Sequence, residues 1–347
     1  MGFPTKPGSE SAPGRWRRRA GLAVEVAGWL SLAVALAGWA VLRSGDLWAP
    51  SALLLFGPRW VLALPPAVLL PAALVLRRRA LWPVVPALVV VAGPVAGCCV
   101  PWGRLGADPP AGPRLRVLTC NMHSAKVDPD PLDRLIEGAR PDVVALQEWR
   151  DSANSDALTQ AGWHTHRVPG LFLASRHPIR RADRLGDSST GARGSVMRYE
   201  LGTPDGTVTV FSLHLATPRA GLRALLGFDQ QGLDEVRANS ALRRRQSEFV
   251  AAEAGRVGGP VLLAGDFNTP PESALFRQVW FGYANAFSDA GWGWGYTFHA
   301  RRTAVRIDHV LVGGGGWATK CWVGPDVGSP HRPVLADLAW AKGEHGN

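Results

Sequence analysis

Seven polar residues in the C-terminal two thirds of the chain stand at the ends of apolar runs or beside them. Asn121 follows RLRVLTC, Glu148 follows DVVALQ, His214 sits in FSLHL, and Asp266 and Asn268 follow PVLLA. Asp308 lies in the run Ala304–Val312, and His331 comes just before PVLADL. These types suit metal-assisted cleavage of a phosphate ester. A hard divalent cation such as Mg²⁺ takes oxygen ligands, often one or two carboxylates plus substrate phosphate, and Glu148 supplies such a carboxylate. The metal polarises a phosphoryl oxygen and offsets developing charge. A histidine held by a carboxylate can move a proton, and Asp308 with His331 is such a pair. If that ring accepts a proton it must be neutral, so activity is expected to fall on the acid side. Asn121 and Asn268 can orient oxygens without adding charge.

The apolar runs that deliver these residues read as strands. They are Arg114–Cys120, Asp142–Gln147, Leu171–Ser175, Ser195–Glu200, Thr207–Leu215, Pro260–Ala264, Ala304–Val312 and Pro333–Leu338. Helices are expected over Pro131–Ala139, started near Asp128 or Asp130, and over Leu233–Ala254, with Leu233, Val236, Leu242 and Phe249 in its apolar stripe. Strand–helix alternation mixed with consecutive strands indicates an α/β fold of packed sheets with helices outside. Polar groups at the ends of apolar strands are how such a scaffold builds a site. No internal repeat is present.

The first third is different. Three apolar runs, about 22–42, 54–76 and 81–100, each approach the ~20 residues needed to cross a bilayer core. They show no polar face, which argues against buried core helices. Glu25 and Arg59 fall near span ends, where a charge reaches the headgroups. Residues 1–104 carry eleven Lys and Arg against three Asp and Glu. Residues 105–347 carry 27 against 25, a net charge of +2. The basic clusters at Arg15–Arg19 and Arg77–Arg79 should face the cytoplasm. Three spans then place everything after Val100 outside it. The expected organisation is a multi-pass region over 1–104, a Gly/Pro-rich linker over 105–113 and a catalytic domain over 114–347, in the cell membrane. A nearly neutral domain disfavours duplex nucleic acid as a partner, since that binding draws on several phosphate contacts.

The segments LTCNMH, DVVALQEW, FSLHL, LLAGDFNTPP, RIDHVLV and SPHRPVLADL, in this order over Arg114–Leu338, resemble the endonuclease/exonuclease/phosphatase superfamily. The likeness is to deoxyribonuclease- and sphingomyelinase-like members, in a membrane-anchored bacterial-type form. The resemblance implies a four-layer α/β sandwich of two packed mixed sheets with outer helices, here preceded by a three-helix transmembrane region. It also implies a hydrolase of phosphate esters using Mg²⁺, with Mn²⁺ as the alternative ion. By motif position it makes Glu148 the metal-binding glutamate and Asn121 the asparagine beside the metal. It places His214 against the scissile phosphate, Asp266 and Asn268 on the nucleophilic water, His331 as the catalytic histidine and Asp308 as the aspartate that orients it. One position departs: the family carries Asp just before the last histidine, where this chain has Pro330. A weaker metal site, or a degenerate domain that only binds a phosphorylated ligand, would follow from that loss.

Other features have plainer readings. Arg193, between Gly191 and Gly194, is a candidate contact for the substrate phosphate. His164 and His166 share a strand face but lack a third ligand. Gly313–Gly316 reads as a turn, and Arg243–Arg245 as a solvated helix face. Cys98, Cys99, Cys120 and Cys321 do not form a disulfide framework. Leu222, Leu225, Leu226 and Phe228, with Trp292 and Trp294, are read either as cover for a sheet edge or as a lip dipping into a bilayer. The function expected is a membrane-anchored phosphodiesterase or phosphomonoesterase on a lipid or lipid-linked substrate, with an extracytoplasmic nuclease as the alternative. No protein partner is indicated.

Overall fold

The computed structural model describes residues 12–45, 48–104, 106, 108–123, 130–149, 155–186, 195–227, 232–300 and 303–341. Arg193, Asp128 and Phe228 lie outside them.

The Ala/Leu/Val composition of the first third yields helix wherever proline and glycine permit it. Helix α1 covers Ala12–Arg43, α2 Ala49–Phe56, α3 Leu64–Leu76 and α4 Leu81–Val90. With their flanking turns they give three helical segments long and apolar enough to cross a membrane: Gly14–Arg43, Arg59–Leu76 and Arg78–Val95. The boundaries differ from the sequence reading. Residues 54–56 close α2, which Gly57 ends in an extended conformation, so the second apolar helix starts at Arg59. The third ends at Val95, in a π turn containing Pro94. The ionic residues pair internally: Arg77 bonds Glu25, and Arg59 Nη1 donates to the Val95 carbonyl (2.8 Å). Arg59, at the start of its helix, thus satisfies a backbone carbonyl at the end of another, which in an apolar setting has few other partners.

The chain divides into two compact units, residues 1–41 with 59–96, and residues 42–58 with 97–347. Helix α2 therefore belongs to the second unit.

That unit continues with β1 (Arg114–Asn121), α5 (Asp130–Ala139), β2 (Val143–Trp149), α6 (Asp156–Thr159), β3 (His164–Val168), β4 (Gly170–Ser175) and β5 (Ile179–Leu185). Next come β6 (Ser195–Thr203), β7 (Gly206–His214), α7 (Arg219–Leu226), α8 (Gly232–Gly255), β8 (Val261–Asp266) and α9 (Ala274–Val279). It closes with β9 (Ala284–Asn285), α10 (Ala286–Ala290), β10 (Phe298–Ala300), β11 (Thr303–Val305), β12 (Asp308–Gly313), β13 (Trp317–Val323) and β14 (Val334–Ala339). One six-stranded sheet runs β13-β14-β1-β2-β4-β3 and the other β5-β6-β7-β8-β12-β9. β10 and β11 form a separate hairpin. Both sheets are mixed: β1–β2 and β7–β8 are parallel, and the other pairs antiparallel.

Alternation along each strand explains the layering. Leu115 and Val117 of β1 point between the sheets, meeting Tyr199, Val210, Leu262 and Val310 from the other sheet. Leu118 and Cys120 point outward, under Leu132 and Ile136 of α5. The outer face of the second sheet buries Phe211, Leu213 and Leu263 against Val250 and Ala254 of α8. The result is a helix–sheet–sheet–helix sandwich, as expected from the sequence.

Several local readings change. Ala304–Val312 is two strands, because the backbone N–H groups of Ile307 and Asp308 both turn to Thr297 Oγ1 (3.1 Å each). The buried face of α8 holds Val236, Ser240, Arg243, Ser247, Val250 and Ala254, while Leu233, Leu242 and Phe249 are half-buried. Arg243 is not solvated: it is 2% exposed, and Nη1 donates to the Ala216 carbonyl (3.2 Å). His164 is exposed, and His166 Nδ1 lies 3.3 Å from the Tyr199 hydroxyl. The glycine run makes the β12–β13 turn, with Gly314 and Gly315 at φ +61° and +70°. All four cysteines are free thiols. The backbone of Cys99 pairs with that of Gly293 (2.7 and 3.0 Å), which ties down the loop of exposed Trp292 and Trp294.

Candidate active site

Register assembles the site. β7, β8 and β12 are neighbours, and His214, Asp266 and Asp308 occupy aligned positions across them. Adjacent strands lie ~4.8 Å apart, so three polar side chains are set side by side at one edge of that sheet. The other sheet contributes from β1 and β2. Asn121 closes β1, and Glu148 sits in a bulge of β2 where the pairing with β4 shifts between Gln147 and Trp149. Glu148 has φ +50°. A bulge re-aims the side chain it carries, and a left-handed non-glycine residue costs about 1–3 kcal/mol, a strain that concentrates at functional sites. Asn268 (φ +49°) and His123 (φ +53°) share this conformation.

Asn121 is the hinge of the hydrogen bonding. Its Nδ2 donates to Glu148 Oε1 (3.2 Å) and to Asp266 Oδ2 (2.9 Å), and its Oδ1 accepts from the His123 N–H (2.8 Å). His214 Nε2 lies 3.8 Å from both carboxylates. Asp266 Oδ1 accepts from the Asn268 N–H (2.8 Å), while Asn268 Nδ2 donates to the Leu215 carbonyl (2.8 Å). Asp266 and Asn268 thus form an Asx-turn inside the cluster. His331 Nδ1 is 2.9 Å from Asp308 Oδ2 and 4.0 Å from Asp266 Oδ2. The structure thus brings Asn121, Glu148, His214, Asp266, Asn268, Asp308 and His331 together.

Sequence reasoning passed over three supporting residues. His123 stands in LTCNMH, with Nδ1 3.8 Å from Glu148 Oε2. Ser329 donates to the Asn121 carbonyl (2.6 Å) and accepts from the His331 N–H (3.1 Å), so it fixes the histidine loop to β1. Thr297 caps the start of β12 and so holds Asp308. Only His123 carried a signal, its place next to Asn121. Pro330 offers its carbonyl to the His299 N–H (3.0 Å). His309, beside Asp308, belongs to the core: burial first, then Arg306, pushes it down to about 3, and Nε2 meets the Thr269 carbonyl.

The electrostatics assign charge. Burial alone would push the His331 imidazole down. Asp308, Asp266 and Glu148 overcome that and push it up to about 9. These carboxylates favour the charged ring, whereas a ring that accepts a proton would have to be neutral. Burial and Asp308 raise the Asp266 carboxyl above its ordinary value, against His331, His214 and the Asn121 amide. A buried carboxylate of raised pKa is a better proton acceptor. His123 is lowered by burial and by Arg219.

The Glu148 carboxylate is a hard oxygen donor that fits a divalent cation, and Asn121 would join it by turning its amide oxygen, which here accepts from the His123 N–H, toward the ion. The Glu148 side chain is 29% exposed, leaving water access to complete a coordination shell. Asp266, Asp308 and His331 also lie close enough to share an ion. Those three groups are all buried, so the Glu148 side, open to water, is the better seat.

The sequence model of the Endonuclease/Exonuclease/phosphatase family matches residues 118–331. No curated protein matches the chain. Among solved structures, humanised TDP2 of D. rerio is 15% identical over 65% of this chain and 98% of its own, with a TM-score of 0.52. An endonuclease/exonuclease/phosphatase from Bacteroides vulgatus is 16% identical over 66% and 99%, TM-score 0.51. The 3′ phosphatase NExo from Neisseria, bound to a product DNA hairpin, is 19% identical over 65% and 100%, TM-score 0.50. These likenesses agree with the two-sheet fold.

Proposed function

The chain belongs to the endonuclease/exonuclease/phosphatase family, whose members are metal-dependent hydrolases of phosphate esters, and from that premise we propose a membrane-anchored, Mg²⁺-dependent phosphoesterase working outside the cytoplasm. The observation that carries the reading is the convergence of Asn121, Glu148, His214, Asp266, Asn268, Asp308 and His331 from both sheets onto one edge of the sandwich. The anchor rests on the three apolar helices, and the orientation on the basic residues flanking them.

Glu148 and Asn121 would hold the cation. When bound, it polarises a phosphoryl oxygen and neutralises developing charge. Asp266, a buried carboxylate with a raised pKa, orients a water and accepts its proton. Asn268 holds Asp266 in place through its backbone N–H. His214, 3.8 Å from Asp266 and Glu148, faces the phosphate. His331, kept charged by Asp308, stabilises the negative charge that builds on phosphorus-bound oxygen. Arg193 is retained as a phosphate contact on its place in the sequence alone. Pro330 removes one acidic group from this set, which leaves the other positions intact.

The test is hydrolysis by the full chain in detergent, with and without Mg²⁺, of bis(p-nitrophenyl) phosphate, phospholipid vesicles and DNA. Turnover that survives chelation in full would overturn the metal-dependent reading. Turnover of DNA alone would replace it with the nuclease reading.

A further inference from the structure

A cavity of about 690 Å³ opens beside His331 and Asn268, within the usual range for a small-molecule site. Its walls come from α2, α7 and the β10–β11 hairpin, chiefly Leu53, Phe56, Leu222, Leu226, Val305 and Ile307. Arg219 and Arg223 also line it, both exposed. Neither makes an ion pair among the described residues.

We infer that this cavity holds the hydrocarbon chain of the substrate, so that the enzyme's substrate class is a long-chain lipid phosphate ester. The inference rests on the phosphoesterase reading of the site. Four observations carry it. First, the cavity is amphipathic in a defined direction: apolar over most of its wall, with His331 and Asn268 at one side and two arginines at the rim. That pattern matches an acyl or alkyl chain joined to an anionic head. Second, Leu53 is 39% exposed and Leu226 is 71% exposed. Apolar side chains left bare beside an active site mark a binding surface. Third, α2 lies outside residues 118–331, which match the family. Its sequence, APSALLLF, holds no charge, so an apolar wall is supplied from outside the matched region. Fourth, only Gly57 and Pro58 join α2 to the apolar helix that begins at Arg59. The cavity wall is thus continuous in sequence with a helix fit for a bilayer, where such a lipid would reside. Half-buried Leu222 faces the cavity, so the expected lip of leucines is in part a pocket wall.

The test compares two diesters with the same leaving group, p-nitrophenyl dodecyl phosphate and p-nitrophenyl ethyl phosphate, using the full chain in mixed micelles with Mg²⁺. The dodecyl ester should show a kcat/KM at least about tenfold higher, expressed in KM, as expected for burying several methylenes. Thr303→Trp, which fills the cavity, and the double variant Leu53→Ser/Leu226→Ser, changed at exposed positions, should each bring the ratio of the two esters to about one. Because the readout is a ratio, a general loss of activity cancels. A dodecyl phosphate carrying a terminal diazirine should label peptides spanning residues 49–58 or 219–227, whether or not turnover occurs. Hydrolysis of both esters with no chain-length ratio and no labelling there would overturn the inference and leave the phosphoesterase reading standing. Labelling without any Mg²⁺-dependent hydrolysis would support the cavity and overturn the phosphoesterase reading. Preference for a nucleotide ester over the dodecyl ester would also overturn the inference.

Discussion

Replacing Asp308 with Asn removes the principal group that keeps His331 charged. The carboxylate and ring are 2.9 Å apart and both are buried. An isolated imidazole titrates near 6.5, so a value of about 9 corresponds to about 3 kcal/mol of preference for the charged ring, at ~1.4 kcal/mol per pH unit. Asn keeps the shape and loses the charge. Burial then dominates, with Asp266 more distant, and His331 should titrate at least about two units lower, below neutrality. The sign follows from linkage. A histidine whose folded pKa exceeds its unfolded one stabilises the fold fully below about 6.5, and that stability is lost as the pH rises through about 9. The native protein should therefore lose stability between these values, and Asp308→Asn should flatten that slope. The assay is NMR titration of histidine-labelled, chelator-treated protein, paired with melting temperature against pH. In activity, the native enzyme should fall on the alkaline side as the imidazolium deprotonates, and the variant should fall at lower pH. A native His331 titrating near 6.5, or a variant still titrating near 9, would refute the reasoning.

Glu148→Gln should lower metal affinity and cut turnover by orders of magnitude, measured by calorimetric Mg²⁺ titration and kcat, with the melting temperature nearly unchanged; unchanged metal affinity would move the metal seat elsewhere. Gly265→Ala should destabilise by more than about 2 kcal/mol, because residue 265 has φ +146° and a Cβ there would lie 1.9 Å from the Leu213 carbonyl oxygen; denaturant melts check this. Pro330→Asp should tighten metal binding by about tenfold or more, read by the Mg²⁺ concentration needed for half-maximal activity. Neutralising Arg77, Arg78 and Arg79 should weaken the orientation, scored by a reporter fused after Asn347 that is active only outside the cytoplasm.

The central strands were legible because they are buried on both faces and so read as continuous apolar runs, as VVALQ and VLLA do. β5 was not, because IRRADRL is a charged edge strand with one neighbour. α7 escaped because its short RAGLRALL mixes arginines among leucines, and its role emerges only from what packs opposite. Arg243 was misplaced because a triplet of arginines looks solvated, and nothing local shows a helix face buried against the Ala216 carbonyl. The site was legible as a set of residue types at strand ends, since register carries such ends to one edge. The charge state of His331 was not, because it is set by the balance between its burial and the approach of Asp308, Asp266 and Glu148 in space. The cavity was illegible for the same reason: its walls join residues 53–58 to residues 217–226 and 298–307.

The pairing of Cys99 with Gly293 bears on how such an enzyme would meet its substrate. Val95 ends the third apolar helix, and four residues later the backbone is fastened to the loop of Trp292 and Trp294. Fully extended, that stretch reaches only ~14 Å. The Gly/Pro-rich segment that could have served as a leash comes after this pin and is itself fastened, by Gly112 to Trp340. Under the proposed topology the catalytic unit is denied a search through bulk liquid, and its encounters become lateral collisions in two dimensions. Rate should then follow the mole fraction of substrate within the vesicle surface. Diluting the lipid with inert lipid should slow turnover, while diluting reconstituted vesicles with buffer should leave it unchanged.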